Sequence, residues 1–443
     1  LGKNCVAGGN GEVKNLNLYG FWNGGGFAYG KAINEDGLDY VLRPSGPKGF
    51  GTDPIAYYWN GDLYRTASGA EYKIQFFAGC KLTTIDRTVS SESLVDEYDC
   101  SGEGVAPVFD GGTLKVAGAG ESDSHFVLFD AKGNAIDNEG FDFEFSGVFS
   151  GDGGMIFKGE GTTILSGENT YEGLTTVENG TLQITSINGL GSADAGTRVE
   201  KDAFLKISVS GQKSDPGTGG VNDARIREKI TLAGGELNLD GNYIDLRGGT
   251  VLEGEGVNST IRVKKGSTEV FARSGKVTGE GGLTKEGEGY LRLATPLEYK
   301  GETTIEKGEL RIANKTTLPQ TTDVSVKQEG TLRLMGEGNK IQSLNGDGSI
   351  ILNDNNVVLT SGLSGDDDEF SGVISGEGGF TKVGKGITTF SGANTYQGAT
   401  TIQDGVLSLT SFAGIPQEST TLVTGTGRLD LLSARAETGE FLI

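Results

Sequence analysis

The sequence has few of the side chains that enzymes use for acid, base or nucleophilic chemistry. Its 443 residues include one histidine, three cysteines and two methionines. His125 lies in ESDSHFVLFD, and no GxSxG or His-Gly-Thr motif accompanies it, as a serine hydrolase or a subtilisin-like protease would require. The string SGDGGM at 150–155 is a repeat turn, because SGEGGF at 375–380 has the same form. We therefore predict that the chain is not an enzyme and has no catalytic or cofactor-binding residue.

Other absences exclude whole classes of partner and fold. With a net charge of −22, the chain lacks the excess of lysine and arginine that nucleic acid or an anionic membrane surface attracts, so neither is expected as a main partner. The sequence contains no apolar run long enough for a transmembrane helix. Only eight prolines accompany 76 glycines, and the glycines have no collagen period, which excludes a triple helix.

The sequence does contain an internal repeat. The segments SGENTYEGLTTVENGTLQI (166–184), ATPLEYKGETTIEKGELRI (294–312) and SGANTYQGATTIQDGVLSL (391–409) align without gaps. Internal repetition of this kind is typical of a stacked solenoid. With their weaker upstream similarity, the repeats lie near 145–186, 271–313 and 370–411.

Apolar and polar residues alternate in short stretches within each copy, which predicts β-strands. Glycine precedes the last strand of each copy, at Gly180, Gly308 and Gly405, where the chain must turn a corner. We expect the leucine that follows each of these glycines to point into a solenoid interior.

The spacing of these corners predicts the length of a coil, one turn of the solenoid. Most intervals are close to one or three multiples of about 23 residues, the length of one coil of a three-sided β-helix. Leu237 to Leu310 and Leu332 to Leu407, 73 and 75 residues apart, would each span three coils. The Thr-Thr-Val/Ile segment and the Leu165 position of the repeat would supply the other two sides.

The segment GGFTKVGKGITTFSGANTYQGATTIQDGVLSLT (378–410) resembles the autotransporter-associated repeat of passenger domains in Gram-negative type V secretion. Residues 153–185 resemble it strongly, and 281–312 less so, since Asn-Thr-Tyr has become Leu297-Glu298-Tyr299. The resemblance implies an all-β, right-handed parallel β-helix, a three-sided solenoid exported through the periplasm and outer membrane. It also implies a signal peptide and a C-terminal outer-membrane β-barrel. Neither is in the sequence, so we expect Leu1 and Ile443 to be ends produced by processing or by the design of an expressed fragment.

Composition divides the chain once. Residues 1–104 hold both tryptophans and eight of the 13 tyrosines, and predict a β-rich N-terminal cap or small domain before a β-helix at 105–443. Aromatic side chains concentrate binding energy when they are exposed on a rigid frame. We therefore treat four of them as a candidate binding surface, the alternative being that they fill the core of the cap. These four are Trp22, Tyr57, Tyr58 and Trp59.

The segment GQKSDPGTGGVNDARIREK (211–229) breaks the repeat periodicity and carries local positive charge. We interpret it as a loop extruded from one coil, with Arg225 and Arg227 as further candidate binding residues. Loops on a rigid scaffold often carry function, although a tolerated insertion has the same appearance. Binding is expected to map to this loop or to the aromatic N-terminal region.

The cysteines are expected to have a structural role. Cys5, Cys80 and Cys100 all lie near the N-terminus, and neither a CxxC motif nor a Cys/His metal spacing accompanies them. A Cys80–Cys100 disulfide is the favoured pairing because it closes a short loop that could pass an outer-membrane pore. Pairing of Cys5 with one of the other two stays open. A disulfide would agree with an oxidising compartment outside the cytoplasm.

The run SGDDDEF at 364–370 is the one cluster of acidic residues that could hold Ca²⁺. The Gly-Gly-x-Gly-x-Asp repeat of calcium β-rolls is absent, so we favour a solvated acidic loop and predict no metal site.

Together these observations predict an exported, non-enzymatic, virulence-type passenger at the cell surface or in the medium. Its expected partner is a protein or glycan on a host cell or a neighbouring cell, which makes it an adhesin. The alternatives are a released ligand for a host receptor, a passenger that resembles a vacuolating toxin and, last, an enzyme.

Overall fold

The computed structural model describes strand backbone between Ala7 and Val95, and residues 108–431 apart from 110, 117, 130–132, 211–223, 265–269 and 273–274. The backbone groups into two compact units, Leu1–Arg198 with Ala203–Leu205, and Val199–Asp202 with Lys206–Ile443. Every strand pairing described from Glu92–Val95 onward is parallel, in an all-β solenoid of about 14 coils. The described residues contain no α-helix, only a short 3₁₀ turn at Phe412–Gly414. The predicted fold class is therefore confirmed.

The first strands of the chain differ from the rest because they pair in an antiparallel manner. They form a four-stranded sheet and two hairpins. The sheet consists of Asn17–Trp22, Phe27–Ile33, Asp39–Ser45 and Ala56–Trp59. The hairpins are Ala7–Gly9 with Gly11–Val13, and Tyr64–Arg65 with Glu71–Tyr72.

The first unit continues as three columns of parallel strands. One column contains Glu92–Val95, Thr113–Val116, Ala135–Asp137, Met155–Lys158 and Thr175–Val177. A second contains Gly120–Ser122, Phe143–Phe145, Thr162–Leu165 and Thr181–Ile184. The third contains Val108–Phe109, Phe126–Leu128 and Phe149–Gly151. The strands Thr197–Val199 and Phe204–Ile207 lie where the sequence passes from one unit to the other.

The second unit also has three sides, here called A, B and C. Side A contains Ala224–Ile226, Ile244–Leu246, Val270–Ala272, Tyr290–Leu293, the second halves of Thr303–Ile312 and Asp323–Leu334, Ser349–Leu352 and Val373–Gly376. Side B contains Glu236–Leu239, Asn258–Val263, Gly282–Glu286, the first halves of Thr303–Ile312 and Asp323–Leu334, Ser343–Gly346, Asp368–Phe370, Ile387–Phe390, Val406–Leu409 and Arg428–Leu431. Side C contains Ile230–Leu232, Thr250–Leu252, Val277–Gly279 and Leu297–Tyr299, then Asn339–Lys340, Val358–Ser361, Gly379–Lys382, Thr400–Ile402 and Thr421–Val423.

Coil length varies more than the sequence spacing predicts. The predicted single coils from Leu310 to Leu332 and from Leu407 to Leu429 are confirmed, since each pair is in register on adjacent strands. The predicted three-coil intervals are wrong. Leu332 lies on side A and Leu407 on side B, so the 75 residues between them are not a whole number of coils. Turns of different length between the strands cause this drift.

The third side of the repeat also differs from the prediction. The Leu165 position lies in the same column as the last strand of the repeat, because Leu165 is in register with Ile184, and Phe390 with Leu409. The remaining side is formed by the Asn-Thr-Tyr segment. In the third copy, Thr395 N donates to Ile374 O on side A at 2.8 Å.

The corner glycines are confirmed as turns that need glycine. Gly180 and Gly405 have φ of 64° and 66°, in the left-handed region. A Cβ on Gly180 would lie 1.9 Å from the carbonyl oxygen of Gly159 in the coil below. The leucines that follow, Leu182, Leu310 and Leu407, are fully buried, as predicted.

Candidate binding surface

Most of the predicted binding residues lie in strands whose side chains the structure does not describe. Trp22 ends the strand Asn17–Trp22, and Tyr57, Tyr58 and Trp59 lie in the strand Ala56–Trp59. Cys5, Cys80 and Cys100 lie outside the described residues. The aromatic surface and the Cys80–Cys100 disulfide therefore stay predictions.

The end of the predicted loop 211–229 is part of the solenoid, while residues 211–223 lie outside the described residues. Arg225 lies in the strand Ala224–Ile226, in register with Asp245 of the next coil, and is therefore part of side A. Arg225 and Arg227 are exposed, while Glu228 between Arg227 and Lys229 is buried. Residues 224–229 thus have the alternation of a solenoid side, and both arginines keep the outward position that binding would require.

Two sequence clusters belong to the scaffold, since their side chains bond to the backbone of neighbouring coils. His125 is exposed, and its Nδ1 accepts a hydrogen bond from Val148 N at 3.1 Å. In the acidic run, Asp367 Oδ1 accepts from Ile387 N at 2.8 Å, whereas Asp368 is buried and accepts from Leu344 N. The side chains of Asp367 and Asp368 therefore contact different parts of the neighbouring coils. Within the described part of the chain, no group of three or more acidic, histidine or cysteine side chains could hold a metal ion.

The most regular residues of the repeat are buried and build the frame. The Tyr171 and Tyr396 hydroxyls contact Thr175 Oγ1 and Thr400 Oγ1 four residues later, each at 2.5 Å. Asn394 joins adjacent coils, since Oδ1 accepts from Ile374 N at 2.7 Å and Nδ2 donates to Gly414 O at 2.7 Å. The Asn and Tyr of the motif therefore satisfy polar groups inside the solenoid.

Two lysines enter the interior, which the sequence analysis missed. Lys285 Nζ donates to three carbonyl oxygens, those of Glu286, Gly287 and Lys307, at 2.8, 2.8 and 3.0 Å. Burial lowers the pKa of Lys285 to about 7, although the charge of Glu286 acts in the opposite direction. Lys382 has the same position in the third copy. The signal was present in Leu283-x-Lys285, where strand alternation turns both side chains to the same face.

The outward faces carry rows of charged residues that alternate in sign. Lys264 and Lys206 contact Asp240 from either side, at 2.6 and 3.6 Å. Arg262 lies between Glu236 and Glu286, at 2.6 and 3.0 Å, and Lys307 lies between Glu288 and Glu329. Hydrogen bonding to Glu236 raises the pKa of Arg262. Such pairs stabilise adjacent strands, and alternation is the expected arrangement.

One row on side A breaks this alternation. Arg292, Arg311 and Arg333 are in register on three successive coils, so three like charges follow one another along the solenoid. We call these three residues the arginine row. The sequence signal is the triplet Leu-Arg-aliphatic at 291–293, 310–312 and 332–334. The leucines of this triplet predict an inward face, and strand alternation turns the arginine between them outward.

The arginine row is held in place by two neighbours. The guanidinium of Arg311 lies 3.7 Å from the centre of the Tyr290 ring. Glu309 accepts hydrogen bonds from Arg311 Nη2, at 2.9 Å, and from Arg333 Nε. Burial alone would raise the pKa of Glu309, but these hydrogen bonds lower it overall, so Glu309 stays ionised. Among the described residues, no carboxylate lies within ion-pair distance of Arg292.

Side B carries a shallow polar groove. Its floor follows the in-register residues Thr284, Thr304, Ser325 and Asn345, and the groove encloses 380 Å³. Residues two positions away along each strand share this face, and they place longer side chains along the edges. The edge residues include Glu302, Glu306, Asp323 and Lys327. The groove is thus acidic, in contrast to the arginine row on side A.

Comparison with known proteins agrees with this architecture. The family described as passenger-associated-transport-repeat matches residues 158–184, 283–312 and 380–409, one segment in each copy of the repeat. The chain is also similar to the adhesin BmaC autotransporter of Brucella suis biovar 1 (strain 1330), with 32% identity over 244 residues. The match covers 54% of this chain and 6% of that protein, so the chain spans a small fraction of the relative's length. No solved structure matches the chain.

The three matched segments coincide with coils of the parallel solenoid, and each contains a buried tyrosine whose hydroxyl contacts a buried threonine four residues later. No helix among the described residues is long and apolar enough to cross a membrane. These findings confirm the predicted resemblance to autotransporter passengers with passenger-associated-transport repeats, and the predicted secreted or cell-surface location.

Proposed function

We propose that this passenger is a non-enzymatic adhesin that attaches the bacterium to a protein or glycan on a host cell or a neighbouring cell. The observation that carries the proposal is the similarity to an autotransporter that is itself named an adhesin. That similarity extends over 54% of the chain, beyond the three repeat segments alone.

The distribution of chemistry in the structure supports a binding role. The described residues that vary least between the repeat copies are buried in the frame, whereas charged side chains stand in rows on the outer faces. A solenoid of this kind presents many side chains at fixed spacing on a rigid surface. Rigid presentation lowers the entropy lost on binding, which favours attachment over a large area.

The proposal is tested with beads that carry the purified chain and are incubated with cultured host cells. We expect many more of these beads on the cells than beads coated with albumin, and soluble chain should compete for attachment. Beads that carry heat-unfolded chain provide a control for nonspecific adsorption. Equal attachment of folded-chain and albumin beads, on host cells and on bacteria of the same species, would refute the adhesive function.

A further inference from the structure

The arginine row differs from every alternating row described above. Arg292, Arg311 and Arg333 bring three positive charges to one face, and Glu309 is the one carboxylate that pairs with them among the described residues. Like charges in register on adjacent strands destabilise a sheet. This arrangement stands on a chain whose net charge is −22. Glu309 pairs with Arg311 and Arg333 but leaves an excess of positive charge on this face, and natural proteins break such local rules chiefly at functional sites.

The arginine row is also accessible and ordered. The side chains of Arg311 and Arg333 are 30% and 28% exposed. Tyr290 and Glu309 fix the plane of Arg311 before any ligand arrives. The Nε atoms of Arg292 and Arg311 are buried, so a ligand would meet the outer part of each guanidinium group. A ligand with acidic groups would offset the repulsion within the row and bind to donors that are already oriented.

From this geometry we propose that the arginine row binds a linear acidic polysaccharide, with carboxylate or sulfate groups received by successive guanidinium groups. The planar guanidinium fork suits both kinds of group. Neighbouring strands are about 4.8 Å apart, so the row offers charges at regular steps along a line. This inference deepens the adhesive function proposed above, on which it rests, by naming a class of ligand.

The neighbouring residues fit a sugar chain. Thr331 lies two positions before Arg333 on the same face, and Ser349 is in register with Thr331 on the next coil. Both are half-buried and place hydroxyl groups beside the row. Hydroxyl groups can pair with the hydroxyls of a polysaccharide without adding charge.

Charge density favours a polysaccharide over nucleic acid. Duplex DNA carries one charge in about 1.7 Å of its axis, and its proteins need extended basic surfaces. Three arginines on a chain of net charge −22 do not supply such a surface. A polysaccharide with one acidic group on every sugar or every second sugar suffers less repulsion from the rest of the protein.

The test measures binding of the purified full chain to four probes by biolayer interferometry at low and at physiological salt. The probes are a chondroitin sulfate oligosaccharide, a hyaluronan oligosaccharide of the same length, a neutral dextran and a single-stranded oligodeoxythymidine. The test variant is Arg292→Gln/Arg333→Gln, which leaves Arg311 on Tyr290. The control Lys276→Gln/Arg428→Gln removes the same charge from two side chains that are 56% and 66% exposed. Circular dichroism confirms that both variants fold.

We expect the chain to bind at least one acidic oligosaccharide and to leave dextran unbound. The test variant should weaken this binding at least about tenfold, since each lost charge-assisted hydrogen bond is worth more than a kcal/mol, while the control stays close to the original chain. The proposal is overturned if neither acidic oligosaccharide binds at low salt, if both variants weaken binding equally, or if the oligodeoxythymidine binds as tightly as the sugars. If the coated beads still attach to cells in any of these cases, only the proposed class of ligand is wrong. The adhesive function would then still hold.

Discussion

The two units fill the same inward position of the repeat with opposite chemistry. In the first unit it is Phe157, which is buried, as are Phe126 and Phe149 of the same unit, whose stacked rings have centres 4.7 Å apart. In the second unit it is Lys285 in one copy and Lys382 in the other, both fully buried. Lysine can be buried here because backbone carbonyl oxygens at the adjacent corner accept hydrogen bonds from its amino group. This position therefore requires a side chain that fills the available space and whose hydrogen-bond donors have partners. The side chain does not have to be apolar.

The largest expected effect is the loss of stability when a buried leucine is shortened. It tests whether the apolar columns stabilise both units equally. Leu182→Ala in the first unit and Leu310→Ala or Leu407→Ala in the second should each lower the free energy of unfolding by about 2–5 kcal/mol, because each leaves a cavity in a packed interior. The measurement is chemical denaturation followed by circular dichroism. Gln183→Ala, on the outward face beside Leu182, is the matched control and should change the stability by less than about 0.5 kcal/mol. Equal losses at Leu182 and Gln183 would contradict the strand register.

The burial of Ser408 does not follow the alternation of its strand. Strand alternation places the neighbour of the inward Leu407 on the outward face, yet Ser408 is 1% exposed and its hydroxyl has no hydrogen-bond partner. Alternation along the strand does not by itself determine burial, because other parts of the chain can cover an outward face. Ser408→Ala therefore removes an unsatisfied buried group and is not a control for an exposed residue.

Lys285→Met sharpens the contrast between lysine and phenylalanine. The folded-state pKa of Lys285 is about 7, below its ordinary value of 10.5. Between these values the unfolded chain binds a proton that the folded chain does not, so the original chain should gain stability as pH rises from 7 to 10, by at most about 1.4 kcal/mol per pH unit. The variant lacks this contribution. The difference between the two unfolding free energies, measured across this range, should therefore depend on pH.

A flat difference across that range would show that Lys285 keeps its ordinary pKa within its cage of carbonyl oxygens. The matched control is Lys276→Met, which removes a lysine whose side chain is 56% exposed and pairs with Glu298 on the surface.

Asp368→Asn tests the opposite sign of titration in the same unit. Burial raises the pKa of Asp368 to about 6, and the hydrogen bond from Leu344 N opposes this. Between about pH 4 and pH 6 the folded chain therefore binds a proton that the unfolded chain has lost, so stability falls as pH rises. Asp368→Asn has no carboxyl group at this position, so the variant does not lose stability in this way. Thermal unfolding should show that the variant gains on the original chain between pH 4 and pH 7, and an unchanged difference would contradict the raised pKa.

The smallest expected effect concerns the N-terminal region. A non-reducing peptide map should show a Cys80–Cys100 link and leave Cys5 open to alkylation, as the sequence predicts. Reduction should leave the β-sheet circular dichroism of the solenoid unchanged, because its described contacts involve no cysteine. Detection of Cys5 in an intramolecular disulfide would overturn the predicted pairing.

The sequence predicted the parallel solenoid because glycine corners and two-residue alternation repeat in it. It could not predict that Leu310 and Leu407 lie on different sides, since that depends on the summed length of many unlike turns. The buried Lys285 was missed because composition alone treats lysine as a surface residue, whereas here neighbouring coils supply its carbonyl partners. The arginine row was missed because register between coils, not separation in sequence, brings its members together.

The most direct test of the adhesive account is saturable binding of the fluorescent chain to cultured host cells, measured by flow cytometry. The account predicts a saturable signal that unlabelled chain displaces, and a weaker signal for Arg292→Gln/Arg333→Gln than for Lys276→Gln/Arg428→Gln. A signal that rises in proportion to concentration and is not displaced by unlabelled chain would contradict it.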